Sequence, residues 1–224
     1  MKLIRYGVSL QRLQKTDIEL VRQWRNSDLI RETMEYRDEI TPEMQLKWFE
    51  SINNNRNFYM LIEYEGKKIG LVNGKNIDWE AQELESGIFF WETKYYETFV
   101  PAIVSIMITD MCIRLFGWDK MVAHILKTNP RAIQYNLSLG YILSPDQEHI
   151  ENQAYILTPE SFQKSTGKLQ KALAKLYPGH EHSIFVLEPH DFENGMAQQV
   201  QPLIDQVKIP VQKEWFNGAE FFYF

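Results

Sequence analysis

The chain has 224 residues, 44% of them hydrophobic and 13% aromatic, with a formal net charge of −6. That is enough apolar material for a packed core, so wholesale disorder is excluded, and the acidic balance argues against general phosphate-backbone binding to nucleic acid. The single cysteine, Cys112, excludes an internal disulfide framework and a multi-cysteine zinc site, and suits a reducing, cytoplasmic compartment.

Met1 to Arg5 reads as a first strand and not as a signal peptide, because no apolar run of the needed length follows. The most apolar stretch, Phe99 to Cys112, is interrupted by Ser105, Thr109 and Asp110 and is too short to span a bilayer. Thr16-Asp17-Ile18-Glu19 predicts a capping box and a helix presenting Leu20, Val21 and Trp24. Thr41-Pro42-Glu43 predicts a second helix start, followed by Met44, Trp48, Phe49 and Ile52 at helical spacing and ended by three asparagines. Phe58 to Tyr64 and Lys68 to Val72 flank Glu65-Gly66-Lys67 as a hairpin, and Glu83 to Trp91 reads as a third strand.

Phe99 to Phe116 is apolar on nearly all sides and predicts a buried helix closed by Gly117. Lys120 to Leu126 is a strand and Asn129 to Leu139 a helix closed by Gly140. Tyr141 to Leu143 and Ala154 to Leu157 are two more strands. Past Pro159 the character changes: a lysine-rich helix over Lys164 to Tyr177, a break at Pro178-Gly179, a strand from Ser183 and a helix from Met196 to Val207. The apolar end, Ala219 to Phe224, should pack on the body or on a second copy, which makes a homodimer an expectation. The order predicts a mixed α/β (α+β) fold with a mostly antiparallel sheet flanked by helices. Residues 1–158 form the main domain and 159–224 a small C-terminal α/β extension.

Three segments together resemble the GNAT superfamily of N-acetyltransferases. They are Gln23-Trp24-Arg25-Asn26 with Leu46 to Ser51, the hairpin ending Lys68-Ile69-Gly70-Leu71-Val72, and Asn129-Pro130-Arg131-Ala132-Ile133 through Leu139-Gly140-Tyr141. The first is similar to the branch that acetylates ribosomal-protein N-termini and nucleotide-linked amino sugars. The resemblance covers roughly residues 1–158. It implies two central parallel strands that splay apart, with acetyl-CoA in the cleft as co-substrate. The pantetheine would pair with the strand edge at Ile88, Phe89 and Phe90, aided by Asn129, and the pyrophosphate would sit at the following helix start. Glu85, two residues before Gly87, occupies the position of a glutamate that faces the acceptor and helps remove a proton from an amine.

The sequence departs from the family pattern in the pyrophosphate loop. Set from Phe116-Gly117-Trp118-Asp119-Lys120, the register puts Tyr96, Phe99 and Pro101 where the family has a glutamine or arginine, a glycine and a small residue. Phe99 adds bulk and Pro101 has no N–H to donate. Glu97 adds like charge, which costs at most roughly 4 kcal/mol at about 4 Å and an effective dielectric near 20. No Lys or Arg lies between Tyr95 and Ile113, and Lys94 alone is near in sequence. The position of the family's proton-donating tyrosine holds Asn136, with Tyr135 turned about 100° away around the helix.

Two functions stand side by side: transfer of an acetyl group to a primary amine of a small molecule or peptide terminus, or a GNAT-fold protein that has lost the cofactor and binds a ligand or partner. A third reading takes the likeness as topological only, with a metal or hydrolytic role near His180-Glu181-His182. No metal, membrane or nucleic-acid partner is expected. Each remaining candidate has a plain structural reading beside its functional one. Asn129 is explained by capping, Trp24 by the core, Cys112 by burial and Glu92 by solvation. His180 and His182 fit a solvated loop, and His190-Asp191 a turn.

Overall fold

The computed structural model describes residues 1–32, 34–180 and 182–224. In chain order the elements are β1 (Lys2–Arg5), β2 (Val8–Arg12), α1 (Ile18–Asn26), α2 (Asp28–Arg31), α3 (Pro42–Ile52), β3 (Phe58–Tyr64), β4 (Lys67–Asp78) and β5 (Glu83–Phe90). They continue with α4 (Val100–Asp110), β6 (Met121–Leu126), α5 (Pro130–Leu139), β7 (Ile142–Leu143), β8 (Asn152–Leu157) and α6 (Pro159–Leu176). The last are β9 (Ile184–Leu187), α7 (Pro189–Glu193), α8 (Met196–Gln206), β10 (Gln212–Phe216) and β11 (Ala219–Tyr223). The strands form a single sheet in the order β10-β11-β9-β1-β2-β3-β4-β5-β6-β8-β7. Every neighbouring pair is antiparallel except β5–β6. This is the mixed α/β, mostly antiparallel architecture that the element order implied.

The sheet is buried on two sides with different cores. The larger core packs α4, α6 and α8 around Ile103, Met107, Leu173 and Val200. The smaller packs α1 and α3 through Val21, Phe49, Phe89 and Trp91. Alternation along β5 feeds both: Leu84, Ile88 and Phe90 belong to the first, Phe89 and Trp91 to the second. Thr41 caps α3 by accepting from the Met44 N–H at 3.2 Å, with Pro42 in the first turn. Glu65 and Gly66 both take positive φ, the geometry of a two-residue hairpin turn.

Several expectations need revision. The first strand is a hairpin: Tyr6 and Gly7, both at positive φ, turn β1 into β2. The capping box at Thr16 does not form; the Asp17 carboxylate takes Lys68 at 2.5 Å and Glu19 takes Arg22. The central helix ends in a π turn over Met111–Leu115, where the buried Asp110 binds Arg5 of β1 at 2.6 Å. Helix α6 starts at Pro159, five residues before Lys164, because Thr158 and Ser161 form a capping box. His190-Asp191 is not a turn but part of α7, with Asp191 fully buried.

Residues 159–224 extend the sheet beyond β1. Strand β9 pairs with β1, and the apolar terminus pairs with β9 as β11. Phe222 and Phe224 are buried there, each worth roughly 1.5–3 kcal/mol. The apolar end therefore packs on its own body. What stays open is the edge strand β10, where Trp215 is 63% exposed.

Candidate active site

The parallel pair β5–β6 is in register only at Glu85↔Val122 and Ser86↔Ala123. Beyond that point the strands part. The Trp91 N–H donates to Ile69 of β4 at 2.9 Å, so by alternation the backbone groups of Phe89 and Gly87 also face β4. Those of Ile88 and Phe90 face the gap, and no strand pairs with them there among the described residues. Of the three residues expected to hold a pantetheine arm, Ile88 and Phe90 thus carry the open edge, while Phe89 is tied into the sheet and packs its ring into the smaller core.

Glu85 lies at the fork. Its side chain is 23% exposed and accepts from Asn76 at 2.5 Å, from Lys75 at 3.1 Å and from His124 Nδ1 at 3.1 Å. Partial burial works to raise its pKa, but the hydrogen bonds of Asn76 and Lys75 and the charges of Lys75 and His124 outweigh it and hold the carboxyl below its ordinary value. Lys75 is the residue directly opposite on β4, so Glu85 also makes a cross-strand ion pair. His124 is the missed member of this group. It stands two residues past Val122 on β6, and only the parallel register brings it beside Glu85.

Around the fork, Trp24 stacks on Trp91 with centroids 5.9 Å apart, and Asn26 braces Ile40 with two 2.9 Å hydrogen bonds. Both are structural. Arg25 is half-buried, its pKa lowered by burial beside Tyr59. Asn129 caps α5 by accepting from the Ala132 N–H at 3.1 Å, and among the described residues its Nδ2 donor has no hydrogen-bond partner. Gly140 ends the helix at φ +102°, and a Cβ there would collide with the Ser161 carbonyl. Tyr141 closes the base of the fork, its hydroxyl 2.9 Å from Ser86 Oγ and its pKa pushed up by burial to about 12.

At the start of α4 the altered loop can be tested against a pyrophosphate. The Val100 N–H donates to Thr98 Oγ1 at 3.2 Å, Pro101 has none, and Phe99 is 56% exposed. Lys94 pairs with Glu92 at 2.5 Å. The cation that reaches this region comes from elsewhere: Arg131 of α5 lies over the Tyr96 ring, 4.0 Å from its centroid. The open β5 edge therefore suits the thioester arm of an acyl-CoA. The start of α4 offers a pyrophosphate few backbone donors, and the guanidinium of Arg131 lies at Tyr96 just ahead of it.

The remaining candidates resolve simply. Tyr135 is no acid for this gap, since its hydroxyl donates to the Pro101 carbonyl at 2.7 Å, contacts Ser105 at 2.6 Å and has its pKa raised by burial. Cys112 is fully buried, and burial raises its thiol pKa away from nucleophile range. His180 and His182 are exposed ahead of β9, and Glu181 between them lies outside the described residues. Glu188, His190 and Asp191 converge, but on the amino group of Met1 and on Arg12.

Comparison with known proteins supports this geometry. A model described as an acetyltransferase (GNAT) domain matches residues 8–149. No curated protein matches at a significant level. Among solved structures, a Methanocaldococcus jannaschii domain is 22% identical, with TM-score 0.58, over 67% of this chain and 97% of its own. Spermidine N-acetyltransferase from Vibrio cholerae, in complex with CoA and spermine, is 16% identical with TM-score 0.60 over 70% and 98%. An apo nucleotide-linked sugar GNAT is 17% identical with TM-score 0.63 over 77% and 98%. No helix of the described residues is long and apolar enough to cross a membrane. The family match spans more than half of the chain, and its two ends bracket the fork: the chain belongs to the GNAT acetyltransferase family.

Proposed function

We propose that the protein is an acetyl-CoA-dependent N-acetyltransferase acting on a primary amine of a small molecule or a peptide terminus. The observation that supports this reading is the parting of β5 and β6 just beyond Ser86 and Ala123, with the gap-facing backbone of Ile88 and Phe90 on one side, where no strand of the described residues pairs with it, and Glu85 with His124 at the fork. Similar folds bind CoA with spermine in one case and act on a nucleotide-linked sugar in another.

When bound, the coenzyme supplies a thioester carbonyl activated for attack by an amine. Ile88 and Phe90 hold the arm with backbone groups and polarise that carbonyl. The unspent Asn129 Nδ2 adds a donor at the start of α5. Glu85, kept ionised by its three donors, attracts the acceptor's ammonium and orients it. The ammonium proton leaves through the Glu85–His124 pair, whose carboxylate and imidazole stand 3.1 Å apart. A homodimer across the β10 edge fits the same proposal.

The test is calorimetric titration with acetyl-CoA at moderate salt, followed by thiol release with a panel of amines. Micromolar binding and amine-dependent release are expected. No binding up to millimolar overturns the reading. A second reading, a GNAT fold that binds a ligand or partner without an acyl donor, is favoured by one observation: the Tyr96 hydroxyl already accepts from the Phe90 N–H at 3.3 Å.

A further inference from the structure

The contact just named sits on the open edge itself. The Phe90 N–H points into the gap between β5 and β6, and Tyr96 Oη takes it at 3.3 Å. The Tyr96 ring packs edge-on against Phe90, centroids 5.4 Å apart, and on its other flank carries the Arg131 guanidinium at 4.0 Å. Arg131 is exposed and has no carboxylate partner among the described residues. It is four residues before Tyr135, whose hydroxyl binds the Pro101 carbonyl. Residues four apart share a helix face about one turn from each other. Arg131 therefore faces the same segment, residues 96–101, in which Pro101 has no N–H and that of Val100 is taken by Thr98.

We infer that Tyr96 and Arg131 form a latch across the acyl-donor groove, in which Tyr96 occupies the hydrogen-bonding edge until a donor displaces it and Arg131, released from the ring, binds the donor's phosphates. The inference rests on the acetyltransferase reading. Both halves of the latch are weak and replaceable. A neutral hydrogen bond at 3.3 Å is long, and an exposed cation–π contact is worth less than a guanidinium–phosphate pair. An amide of a pantetheine arm matches the Phe90 N–H as well as a phenol does, and a diphosphate outcompetes an aromatic face for arginine. The latch also accounts for the combination in this chain of an intact strand edge and a glycine-free loop. Charge that the family draws from backbone N–H groups comes here from one side chain on the next helix.

Two ligands separate the halves: acetyl-CoA, and S-acetylpantetheine, which has the same thioester arm and no phosphate. Calorimetry on wild type, Tyr96→Phe and Arg131→Gln gives the readout. Matched thermal unfolding checks that the exposed Arg131 and half-buried Tyr96 positions leave the fold intact. Tyr96→Phe frees the Phe90 N–H and should tighten both ligands about threefold to tenfold. Arg131→Gln should weaken acetyl-CoA roughly tenfold to a hundredfold, the worth of one charge-assisted contact, and should not weaken S-acetylpantetheine. If acetyl-CoA binds wild type and Arg131→Gln alike, or Tyr96→Phe changes neither ligand, the latch is wrong and the acetyltransferase reading stands. If neither wild type nor Tyr96→Phe binds acetyl-CoA, both fall together.

Discussion

Two regions of the sheet handle charge in opposite ways. At the β1–β9 side, the Met1 amino group, Arg12, Glu188, His190 and Asp191 form a closed cluster in which each buried charge meets an opposite one. Arg12 also donates to the Asn54 carbonyl at 2.8 Å. Burial lowers the Arg12 pKa, and Asp191 counters by charge and hydrogen bond. At the β5–β6 fork the polar groups are half-open, and Arg131 rests on a ring instead of a carboxylate. The contrast shows where the chain is fixed and where it can exchange partners. Buried charges without water must be matched by the protein itself; groups facing a groove can trade their partner for a ligand.

The sharpest way to break that comparison is to open the closed cluster. Asp191→Ala leaves Arg12 without its carboxylate in a fully buried place, and breaking such a pair costs about 3–5 kcal/mol. Urea unfolding should show that loss. The remaining folded protein should bind acetyl-CoA as wild type does. The converse experiment is Glu85→Gln. It should leave stability within about 1 kcal/mol, because its partners are surface-accessible. It should reduce amine-dependent thiol release roughly tenfold to a hundredfold, with the acetyl-CoA Kd unchanged. Equal activity in the variant would return Glu85 to the role of a cross-strand ion pair with Lys75.

Acid tests the closed cluster more gently. Burial, then the charge of the Met1 amino group, holds the His190 pKa below its ordinary value, against the pull of Asp191 and Glu188. The folded state then keeps His190 neutral where the unfolded chain would protonate it. The unfolded state binds more protons in that window, so stability falls as pH drops through about 6.5 toward the folded pKa. His190→Gln should flatten that part of a stability–pH curve. Glu188 acts at lower pH: burial raises its pKa, but the Met1 amino group and Gln11 outweigh this and lower it. Its contribution is present above the ordinary carboxylate value and lost below it.

The comparison also explains what could be read from the chain alone. Elements with a local signal were legible: Thr41-Pro42 starts α3, Asn129 and Gly140 bracket α5, and Glu65-Gly66 turns a hairpin. So was the GNAT architecture, because its spacing is carried by such signals. Long-range register was not. Nothing local says that β9 lies beside β1, or that the segment after β9 leads to an edge strand at Gln212. The same limit governed the site. Glu85 could be named from its distance to Gly87, but His124 joins it only through a parallel pairing 39 residues away. Lys94 is the one cation near the altered loop in sequence, whereas the one that reaches Tyr96, Arg131, is delivered by a different helix.

The smallest effect concerns Thr98, which sits between the two modes of partnering. Its hydroxyl donates to the Tyr95 carbonyl at 2.7 Å and accepts from the Val100 N–H at 3.2 Å. It thereby occupies the first N–H of α4 with the protein's own oxygen. Thr98→Ala should cost about 0.5–1.5 kcal/mol in thermal unfolding, the ordinary net worth of a hydrogen bond. The same change returns the Val100 N–H to solvent. Next to Arg131 that donor should tighten acetyl-CoA by roughly twofold to fivefold and leave S-acetylpantetheine unchanged, because a backbone N–H at a helix start favours an anion and not a neutral arm. A stability loss with no gain in affinity would mean that the phosphates do not approach α4. Arg131 would then hold them alone.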